Sequence, residues 1–238
     1  MKIIILFLTL IFTTTSTMNA QSTKVPSSDR SEKAIEKVKP DLETALKEIE
    51  LEWGAPIYIR IFKEDNALEV WVQKQDSFLL FKTYEICTYG RRGVGPKTKQ
   101  GDKRAPEGFY YVNSKRMNPW SDFHLSFNLG YPNAYDRAHN YTGSALMVHG
   151  SCVSAGCYAM RDSNIEEIYS MADAALNNGQ SFFRVHIFPF RMTDENMQAH
   201  MDSDWYDFWE NLKEGYDYFE ANGVPPNVTV MGGDYVFE

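Results

Sequence analysis

The stretch from Met147 to Met160 concentrates the residue types that can carry out covalent chemistry. Within fourteen residues it holds one histidine, His149, and two cysteines, Cys152 and Cys157. A thiol attacks only as the thiolate, so it needs a nearby base to act as a nucleophile at neutral pH. We therefore interpret His149 and Cys157 as a base and nucleophile pair.

Residue types alone allow four kinds of site in this stretch. A cysteine acyl-transfer enzyme needs a free thiol, a base and backbone N–H groups for the oxyanion, and Gly156 permits close approach of the backbone. A redox dithiol would use Cys152 and Cys157, although four residues separate them instead of the two of a C-x-x-C motif. A zinc site would add His149, but it lacks a second ligand pair at the usual spacing. A structural disulfide is the fourth alternative, and the four stay open at this level.

The composition describes an ordinary globular protein that is acidic. The chain has 238 residues, 43% of them hydrophobic and 24% charged, with a formal net charge of -8. This length is enough for one domain with extensions, or at most two domains. The acidic balance and the lack of a basic cluster argue against nucleic-acid binding.

The N-terminus has the pattern of a secretory signal. Lys2 precedes an apolar run from Ile3 to Phe12, and Asn19-Ala20-Gln21 offers a cleavage point. The run is too short to span a bilayer, so we predict a cleaved signal peptide over residues 1–20 and an exported protein. No other segment is apolar enough for a membrane span. Three cysteines in an exported chain form an odd set, which fits one disulfide with a spare thiol, three buried apolar side chains, or one thiol that is kept free because it reacts.

The rest of the chain predicts an α+β fold in which strands dominate. Residues 21–54 are interpreted as a linker and an N-terminal helix that begins at Asp41, after Pro40. Period-2 runs of β-branched and aromatic residues then predict strands, the first three as an antiparallel meander. The predicted strands are Ile57–Phe62, Ala67–Val72, Phe78–Cys87, Phe109–Val112, Ala145–Val148 and Phe182–Phe188.

Two helical regions complete the prediction. Ser163 and Glu166 have the form of a capping box for a helix after Cys157, with Gly179 at its end. From Thr193 apolar residues recur at spacings of three and four and predict a C-terminal helical extension. We assign residues 55–190 to the catalytic domain and residues 191–238 to this extension.

Two segments are predicted to contain little regular secondary structure. The connection from Gly90 to Gly108 is rich in glycine and basic residues, and it can face an acidic polymer or simply form solvated turns. The segment from Asn118 to Asn140 has no clear periodicity and is predicted to be an irregular cover over a cleft. It contains His124 and His139, each of which is more typical of a packing residue than of a catalytic one.

Several motifs carry a resemblance to a known family. His149-Gly150, Ser154-Ala155-Gly156-Cys157 and the segment from Gly95 to Tyr110 resemble the L,D-transpeptidase catalytic domain (YkuD) family. The runs Ile57–Glu64, Ile187–Met192 and Trp205–Tyr216 are similar to its YafK-like branch, also called DpaA-like. The resemblance covers the chain from about residue 50 to near the C-terminus.

The resemblance implies a β-rich catalytic domain of antiparallel sheets arranged as a sandwich, and it assigns roles at the site. Cys157 matches the nucleophile, His149 the general base, and Gly150 the residue whose carbonyl orients the imidazole. Backbone N–H groups of Gly156 and Cys157 would hold the oxyanion. The implied reaction opens an amide at the L-centre carbonyl of diaminopimelate in a peptidoglycan stem peptide, through a thioester on Cys157. No cofactor and no metal are implied.

Two departures from the family pattern bear on the substrate. Ala155 stands where members have a second histidine, and Ala159 stands where they have an arginine. The YafK-like branch implies hydrolysis that releases a covalently attached outer-membrane lipoprotein from peptidoglycan in the periplasm, and we favour this over cross-linking or protein attachment. The residues expected to contact substrate are Ser154, Tyr158, Arg161, Arg137 and Tyr131.

Two other functions remain as hypotheses. A non-catalytic peptidoglycan-binding module would use the basic Gly90–Gly108 connection and the aromatic residues of the C-terminal extension. Thiol-disulfide exchange would use Cys152 and Cys157. The sequence leaves the pairing of Cys87 and Cys152 undecided.

Overall fold

The computed structural model describes residues 24–90 and 93–238 and has a mixed α+β architecture. The predicted signal peptide at residues 1–20 lies outside these residues. The strands are β1 Ile57–Phe62, β2 Ala67–Lys74, β3 Ser77–Glu85, β4 Gly108–Val112, β5 Met117–Asn118, β6 Ser126–Asn128, β7 Met147–His149, β8 Tyr158–Ala159, β9 Phe183–Phe188, β10 Val228–Met231 and β11 Asp234–Phe237. The helices are α1 Asp29–Glu48, α2 Ala134–Ala138, α3 Asp162–Asn177, α4 Asp194–Ala199 and α5 Tyr206–Asn222, with a 3-10 turn at Ser114–Arg116.

Over the described residues, five strands form the larger sheet in the order β3-β2-β1-β9-β4. The predicted meander of β1, β2 and β3 is confirmed, and β1 is buried along its whole length. Two pairings differ from the antiparallel prediction, because β1 runs parallel to β9 in this sheet, with Ile59 opposite Val185, and β7 runs parallel to β8 in the smaller sheet. Parallel neighbours need a crossover connection, which a one-dimensional pattern of strands does not reveal.

The smaller sheet positions the candidate chemistry. Its order is β5-β6-β7-β8, and β7 runs parallel to β8, with Val148 opposite Tyr158 and His149 opposite Ala159. Cys157 directly precedes β8. The histidine and the free cysteine therefore lie on neighbouring strands, although a loop of seven residues separates them in sequence.

Helix α3 covers the sheets with the predicted apolar face, but it begins differently from the prediction. Its N-cap is Arg161, with φ of 68° and no side-chain cap, so the predicted Ser163 capping box is wrong. The Glu166 carboxylate instead lies between Lys37 and His124, 2.6 Å and 2.9 Å from their side-chain nitrogens. The buried face consists mainly of Ile165, Ile168, Tyr169, Ala172, Ala175 and Leu176.

Helix α1 is longer than the sequence predicted. It begins at Asp29, capped by a reciprocal pair between Ser28 and Ser31, and runs through Pro40 without ending. Proline removes one helical hydrogen bond and crowds the preceding turn, and for this local reason the helix was predicted to begin only after Pro40. The apolar side of α1 is buried against α3 and the neighbouring core, and this burial outweighs the local cost.

The C-terminal extension is only partly helical. Helices α4 and α5 are separate, with a turn between them, and they are followed by the antiparallel hairpin of β10 and β11, which the sequence analysis missed. Trp209 is fully buried in a second core that joins the extension to the catalytic domain. Most aromatic residues of the extension pack in or against this core. They therefore do not form the exposed peptidoglycan-binding surface of the binding-module hypothesis.

The glycine-rich connection is held by a buried ion pair. The Lys63 ammonium donates to the Glu107 carboxylate at 2.7 Å and to the Gly95 carbonyl at 2.7 Å. The other Glu107 oxygen accepts from the Trp209 indole at 2.9 Å. A buried charge is tolerated when it is paired and hydrogen-bonded in this way.

Within the described ranges, no helix is long and apolar enough to cross a membrane.

Candidate active site

The Cys157 thiol lies at the junction of β7 and β8. Its sulfur accepts from the Met147 N–H at 3.4 Å and lies 3.6 Å from the Ala145 carbonyl. The side chain is partly exposed, and among the described residues it is the one free cysteine. The thiol is therefore held at a sheet edge that substrate can reach.

The other two cysteines form a disulfide, Cys87–Cys152. This settles the pairing that the sequence left open. Since Cys152 is bonded to Cys87, it offers neither a zinc ligand nor a partner for Cys157 in a redox dithiol. The structure therefore contains the structural disulfide that was one of the four alternatives, and it leaves Cys157 as a free thiol.

His149 is oriented by the residue that follows it. Its Nδ1 lies 2.6 Å from the Gly150 carbonyl oxygen, and the ring is only 2% exposed. A carbonyl can only accept, so Nδ1 carries the proton of the neutral ring and Nε2 is left as the proton acceptor. This is the tautomer that a general base needs.

The main chain at Gly150 leaves no space for a side chain. A Cβ atom there would lie 2.7 Å from the Phe123 carbonyl oxygen and 2.7 Å from Oδ1 of Asp162. The same Asp162 oxygen accepts from the Ser151 N–H at 2.7 Å, which fixes the turn after the histidine. Glycine is thus required for close packing, and the orienting carbonyl depends on it.

Burial keeps both members of the pair neutral at rest. Desolvation lowers the pKa of His149, and the Gly150 carbonyl opposes this only in part. Desolvation raises the pKa of the Cys157 thiol, against the Met147 N–H and the positive charge of Lys97. Among the described residues no hydrogen bond joins the thiol to the ring, so proton transfer must accompany substrate binding and attack.

Ser154 builds the turn that presents the nucleophile. Its hydroxyl accepts from the Gly156 N–H at 3.0 Å and donates to the Cys157 carbonyl at 2.6 Å. Gly156 has φ of 137°, and a Cβ there would lie 2.8 Å from the Arg104 carbonyl oxygen. The Ser154 hydroxyl and the Gly156 N–H are therefore both hydrogen-bonded within the turn, and the contact of Ser154 with substrate and the oxyanion role of the Gly156 and Cys157 N–H groups stay predictions.

The glycine-rich connection, Gly90–Gly108, packs against this turn. Lys97 is buried, donates to Asp102 at 2.7 Å and to the Lys99 carbonyl at 2.9 Å, and contributes the positive charge near the thiol. Its cation is thus used inside the protein, whereas Lys99 and Lys103 of the same connection are exposed. Arg91 and Arg92 lie outside the described residues.

The remaining residues predicted to bind substrate are dispersed. Tyr158 is fully buried, and its hydroxyl donates to the Pro106 carbonyl at 2.7 Å. Tyr131 is buried too, and its hydroxyl donates to the Lys97 carbonyl at 3.1 Å. Both phenols therefore support the fold from buried positions, and their contact with substrate stays a prediction. Arg161 is exposed at the start of α3, whereas Arg137 lines a separate cavity.

An aromatic residue that the sequence analysis did not select covers the base. The Phe123 ring lies 4.6 Å from the His149 ring, tilted by 32°. Phe123 is 42% exposed and its neighbour Trp120 is 65% exposed, so the cover presents apolar surface to solvent beside the site. The predicted irregular cover over a cleft was the one signal for this segment.

The beginning of α1 holds this cover in place. Nη1 of Arg30 donates to the Ser121 and His124 carbonyls, both at 2.7 Å. The Ser28 hydroxyl donates to the Pro119 carbonyl at 2.9 Å. These bonds join main-chain segments about ninety residues apart in sequence. The N-terminal helix therefore acts on the site through the backbone on both sides of the covering ring.

Comparison with known proteins gives the setting of this geometry. A family model described as the L,D-transpeptidase catalytic domain (YkuD) matches residues 56–187. The YafK protein of Escherichia coli (strain K12), which its name assigns provisionally to the L,D-transpeptidases, is 50% identical over 183 residues. That match covers 77% of this chain and 74% of the relative. The YafK protein of Escherichia coli O157:H7 matches with the same values.

Solved structures give more distant likenesses. The helical cell shape determining protein Pgp2 from Campylobacter jejuni has a TM-score of 0.44 and 17% identity, with 79% of each chain covered. Bd1075 from Bdellovibrio bacteriovorus has a TM-score of 0.40 and 20% identity, with 71% of this chain and 64% of that chain covered. These likenesses carry no argument about function.

Proposed function

The chain belongs to the L,D-transpeptidase catalytic domain (YkuD) family, and from this premise we propose that it is a peptidoglycan enzyme with Cys157 as its nucleophile. The observation that carries the proposal is a free thiol at the start of β8 and, on the neighbouring strand β7, a buried imidazole whose Nδ1 is held by the Gly150 carbonyl. The family match supports an enzymatic role on peptidoglycan, and the cysteine mechanism is our inference.

In the proposed first half-reaction, Cys157 attacks the L-centre carbonyl of diaminopimelate. Nε2 of His149 takes the thiol proton as the sulfur–carbon bond forms, and the carbonyl oxygen becomes an oxyanion. The Cys157 N–H stabilises this oxyanion. The tetrahedral intermediate then expels the amine, which receives the proton from His149, and a thioester remains on Cys157.

In the second half-reaction the thioester is opened. His149 deprotonates a water molecule, which adds to the thioester carbonyl, and the thiol leaves with the proton. The products are a stem peptide with a free carboxylate and a regenerated enzyme. An amine acceptor in place of water would give transpeptidation by the same steps.

We propose hydrolysis as the main outcome. The released group would be a lipoprotein attached to diaminopimelate through a lysine side chain, and the reaction would take place in the periplasm after export. The YafK resemblance and the alanines at positions 155 and 159, where family members have histidine and arginine, motivate this choice. Cross-linking and protein attachment are the alternative outcomes of the same thioester.

The test uses purified peptidoglycan with and without a covalently attached lipoprotein. Wild-type protein should release a lysine-containing peptide and leave stem peptides that end in a free diaminopimelate carboxylate, as measured by mass spectrometry. Cys157→Ala and Cys157→Ser should release nothing, whereas the exposed control Lys115→Gln should match wild type. Equal release by wild type and Cys157→Ala would overturn the proposal, and 3–3 cross-linked products would assign the transferase outcome instead.

A further inference from the structure

A cavity of about 450 Å³ lies apart from the thiol and is lined by three arginines from three different elements. Arg116 ends the 3-10 turn, Arg137 belongs to α2 and Arg184 belongs to β9. The hairpin of β10 and β11 forms the opposite wall. We call this cavity the arginine pocket; the proposed reaction uses none of its residues.

The charge of the arginine pocket is not balanced by its own walls. None of the described residues that line it is an aspartate or a glutamate. Over residues 24–90 and 93–238, the arginines that form ion pairs with carboxylates are Arg60 and Arg191. A concentrated positive charge in a chain of net charge -8 attracts anionic ligands to this one place.

One acid lies behind the wall and needs to be counted. The Asp136 carboxylate accepts from the Tyr110 hydroxyl at 3.0 Å and from the Asn133 N–H at 2.8 Å. Burial raises the pKa of Asp136 to about 6, although Arg137 opposes this. Even when Asp136 is ionised, the three guanidinium groups outnumber it, so the arginine pocket keeps a net positive charge.

The guanidinium groups retain donors for a ligand. Arg184 donates from Nη2 to the Asn227 side chain at 2.6 Å, and Arg137 donates from Nη1 to the Pro132 carbonyl. Arg116 uses Nη1 for the carbonyls of Tyr111 and Leu129. A guanidinium has five N–H groups in a planar fork that matches a carboxylate, so each arginine has N–H groups beyond these bonds.

Two aromatic rings hold two of the three arginines, Arg116 and Arg184, in position. The Arg116 guanidinium lies 4.3 Å from the centre of the Tyr111 ring, and that of Arg184 lies 5.3 Å from the centre of the Phe182 ring. The two rings pack edge to face with centres 5.5 Å apart. Gly130 leaves the space that Arg116 occupies, because a Cβ there would collide with the guanidinium. The pocket is therefore organised before any ligand binds.

The arginine pocket and the thiol lie on two sides of one strand segment. Leu129, which lines the pocket, donates its N–H to the Leu146 carbonyl at 2.9 Å. The residues on either side of Leu146 contact the Cys157 sulfur through their backbone. Two strand spacings therefore separate the backbones of Leu129 and Cys157, which corresponds to roughly 10 Å, and an extended peptide of three to four residues spans that distance.

We propose that the arginine pocket is a subsite for the free carboxylates of the substrate's peptide, which rests on the proposed function. The reacting carbonyl would lie at Cys157 while a carboxylate elsewhere on the same peptide binds Arg184 and Arg137. The subsite selects stem peptides whose side carboxylates are free and rejects those in which they are amidated.

The test measures binding without turnover. Cys157→Ala protein is titrated by calorimetry with the tripeptide L-Ala-γ-D-Glu-diaminopimelate and with the same peptide carrying carboxamides in place of its carboxylates. The acid form should bind about tenfold more tightly, as expected for charge-assisted pairs at a partly exposed site. Adding Arg184→Gln or Arg137→Gln should remove most of this difference and leave binding of the amidated form unchanged.

Lys115→Gln is the matched control, because it removes the same charge from an exposed neighbour of Arg116 that does not line the pocket. It should bind both peptides like the parent. Equal affinity for the acid and amidated forms, or equal loss in the control, would overturn the subsite. Binding of inorganic phosphate that depends on Arg184 while the acid peptide gains nothing would also overturn it, in favour of a phosphate site.

A turnover measurement separates this proposal from the proposed function. In otherwise wild-type protein, Arg184→Gln should raise KM for the acid substrate about tenfold with kcat unchanged, since the lost contact is a binding contact. If Cys157→Ala still released peptide from the wall while the arginine variants lost acid-peptide binding, the nucleophile assignment would fail and the pocket would stand.

Discussion

Two segments flank the residues matched by the family model, and they attach to the catalytic domain in different ways. At its beginning, α1 makes polar bonds through Ser28 and Arg30 to the main chain of the segment that carries Phe123. The C-terminal extension instead buries aromatic side chains, with Trp209 at the centre of its core. One attachment places groups near His149, and the other supplies packing and a wall of the arginine pocket.

The difference separates two uses of added chain. Apolar burial contributes most to the free energy of unfolding, because a large buried side chain that is lost leaves a cavity. Each polar bond to a main-chain carbonyl contributes only about 1 kcal/mol to stability, yet it fixes the position of a backbone segment. Damage to the C-terminal extension should therefore reduce stability, whereas damage to the beginning of α1 should change the properties of His149.

The largest effect is expected for Trp209→Ala. The change removes a fully buried ring and the indole donor to Glu107, so the free energy of unfolding should fall by about 3–5 kcal/mol. Urea denaturation measures this. Met201→Ala, in the same extension at a side chain that is 53% exposed, is the control and should change stability by less than about 0.5 kcal/mol. Similar losses for both variants would contradict the packing role.

The next effect concerns the acid behind the arginine pocket. The pKa of Asp136 is about 6 in the folded protein, above its ordinary value of 3.8, so the folded state binds more protons than the unfolded state between pH 4 and 6. Stability should therefore fall as the pH rises through this window. Asp136→Asn removes the ionisation, and its side-chain oxygen can still accept the two bonds that Oδ2 accepts.

The stability gain of Asp136→Asn should be small near pH 4 and reach about 3 kcal/mol above pH 6. Urea denaturation at a series of pH values measures it. Asp207→Asn is the control, because Asp207 is exposed on α5. A gain for Asp136→Asn that is equal at pH 4 and pH 7 would show that ionisation is not its cause.

A smaller effect is expected for Phe123→Ala. Removing the ring gives water access to His149, which weakens the desolvation that lowers the pKa of this histidine, so the pKa should rise toward 6.5. NMR titration of the imidazole measures the rise directly. The turnover number should fall roughly fivefold to tenfold, because the His149 imidazole is no longer held by an aromatic neighbour. Trp120→Ala is the control for general loss of exposed apolar surface.

The smallest effect in the series is expected for Arg30→Gln. It acts on His149 only through the segment that carries Phe123, so the pKa should rise in the same direction as in Phe123→Ala but by less. The free energy of unfolding should change by about 1 kcal/mol. Lys33→Gln, one turn further along α1 and exposed, should leave the pKa of His149 unchanged. A drop in stability with no change in this pKa would remove the link between α1 and the base.

Local patterns predicted the elements near the site well. The meander, the apolar face of α3 and the strand that ends at His149 follow from periodicity, and the family resemblance singled out Cys157. In contrast, Pro40 within α1 and the parallel pairing of β1 with β9 depend on tertiary burial, which a local propensity does not contain.

The missed parts of the site have a different origin. Bonds between segments about ninety residues apart bring Arg30 close to the segment that carries Phe123. No spacing of residue types in the sequence predicts this contact. Likewise Lys97 and Arg104, two of the basic residues that cluster in sequence at residues 97–104, form bonds within the protein, while Arg116, Arg137 and Arg184 meet only in the folded chain. Clustering of charge in sequence was therefore a poor guide to the charged surface.

The Cys87–Cys152 bond has a consequence for the maturation of the protein. Three cysteines permit three pairings, and Cys87–Cys152 is the one that leaves Cys157 free. In an unfolded chain the shorter loop between Cys152 and Cys157 closes at a lower entropic cost than the 65-residue separation of the native pair. Oxidation before the sheets assemble therefore favours the Cys152–Cys157 pair, so the order of folding and oxidation determines in what fraction of the protein the thiol that we propose as the nucleophile is free.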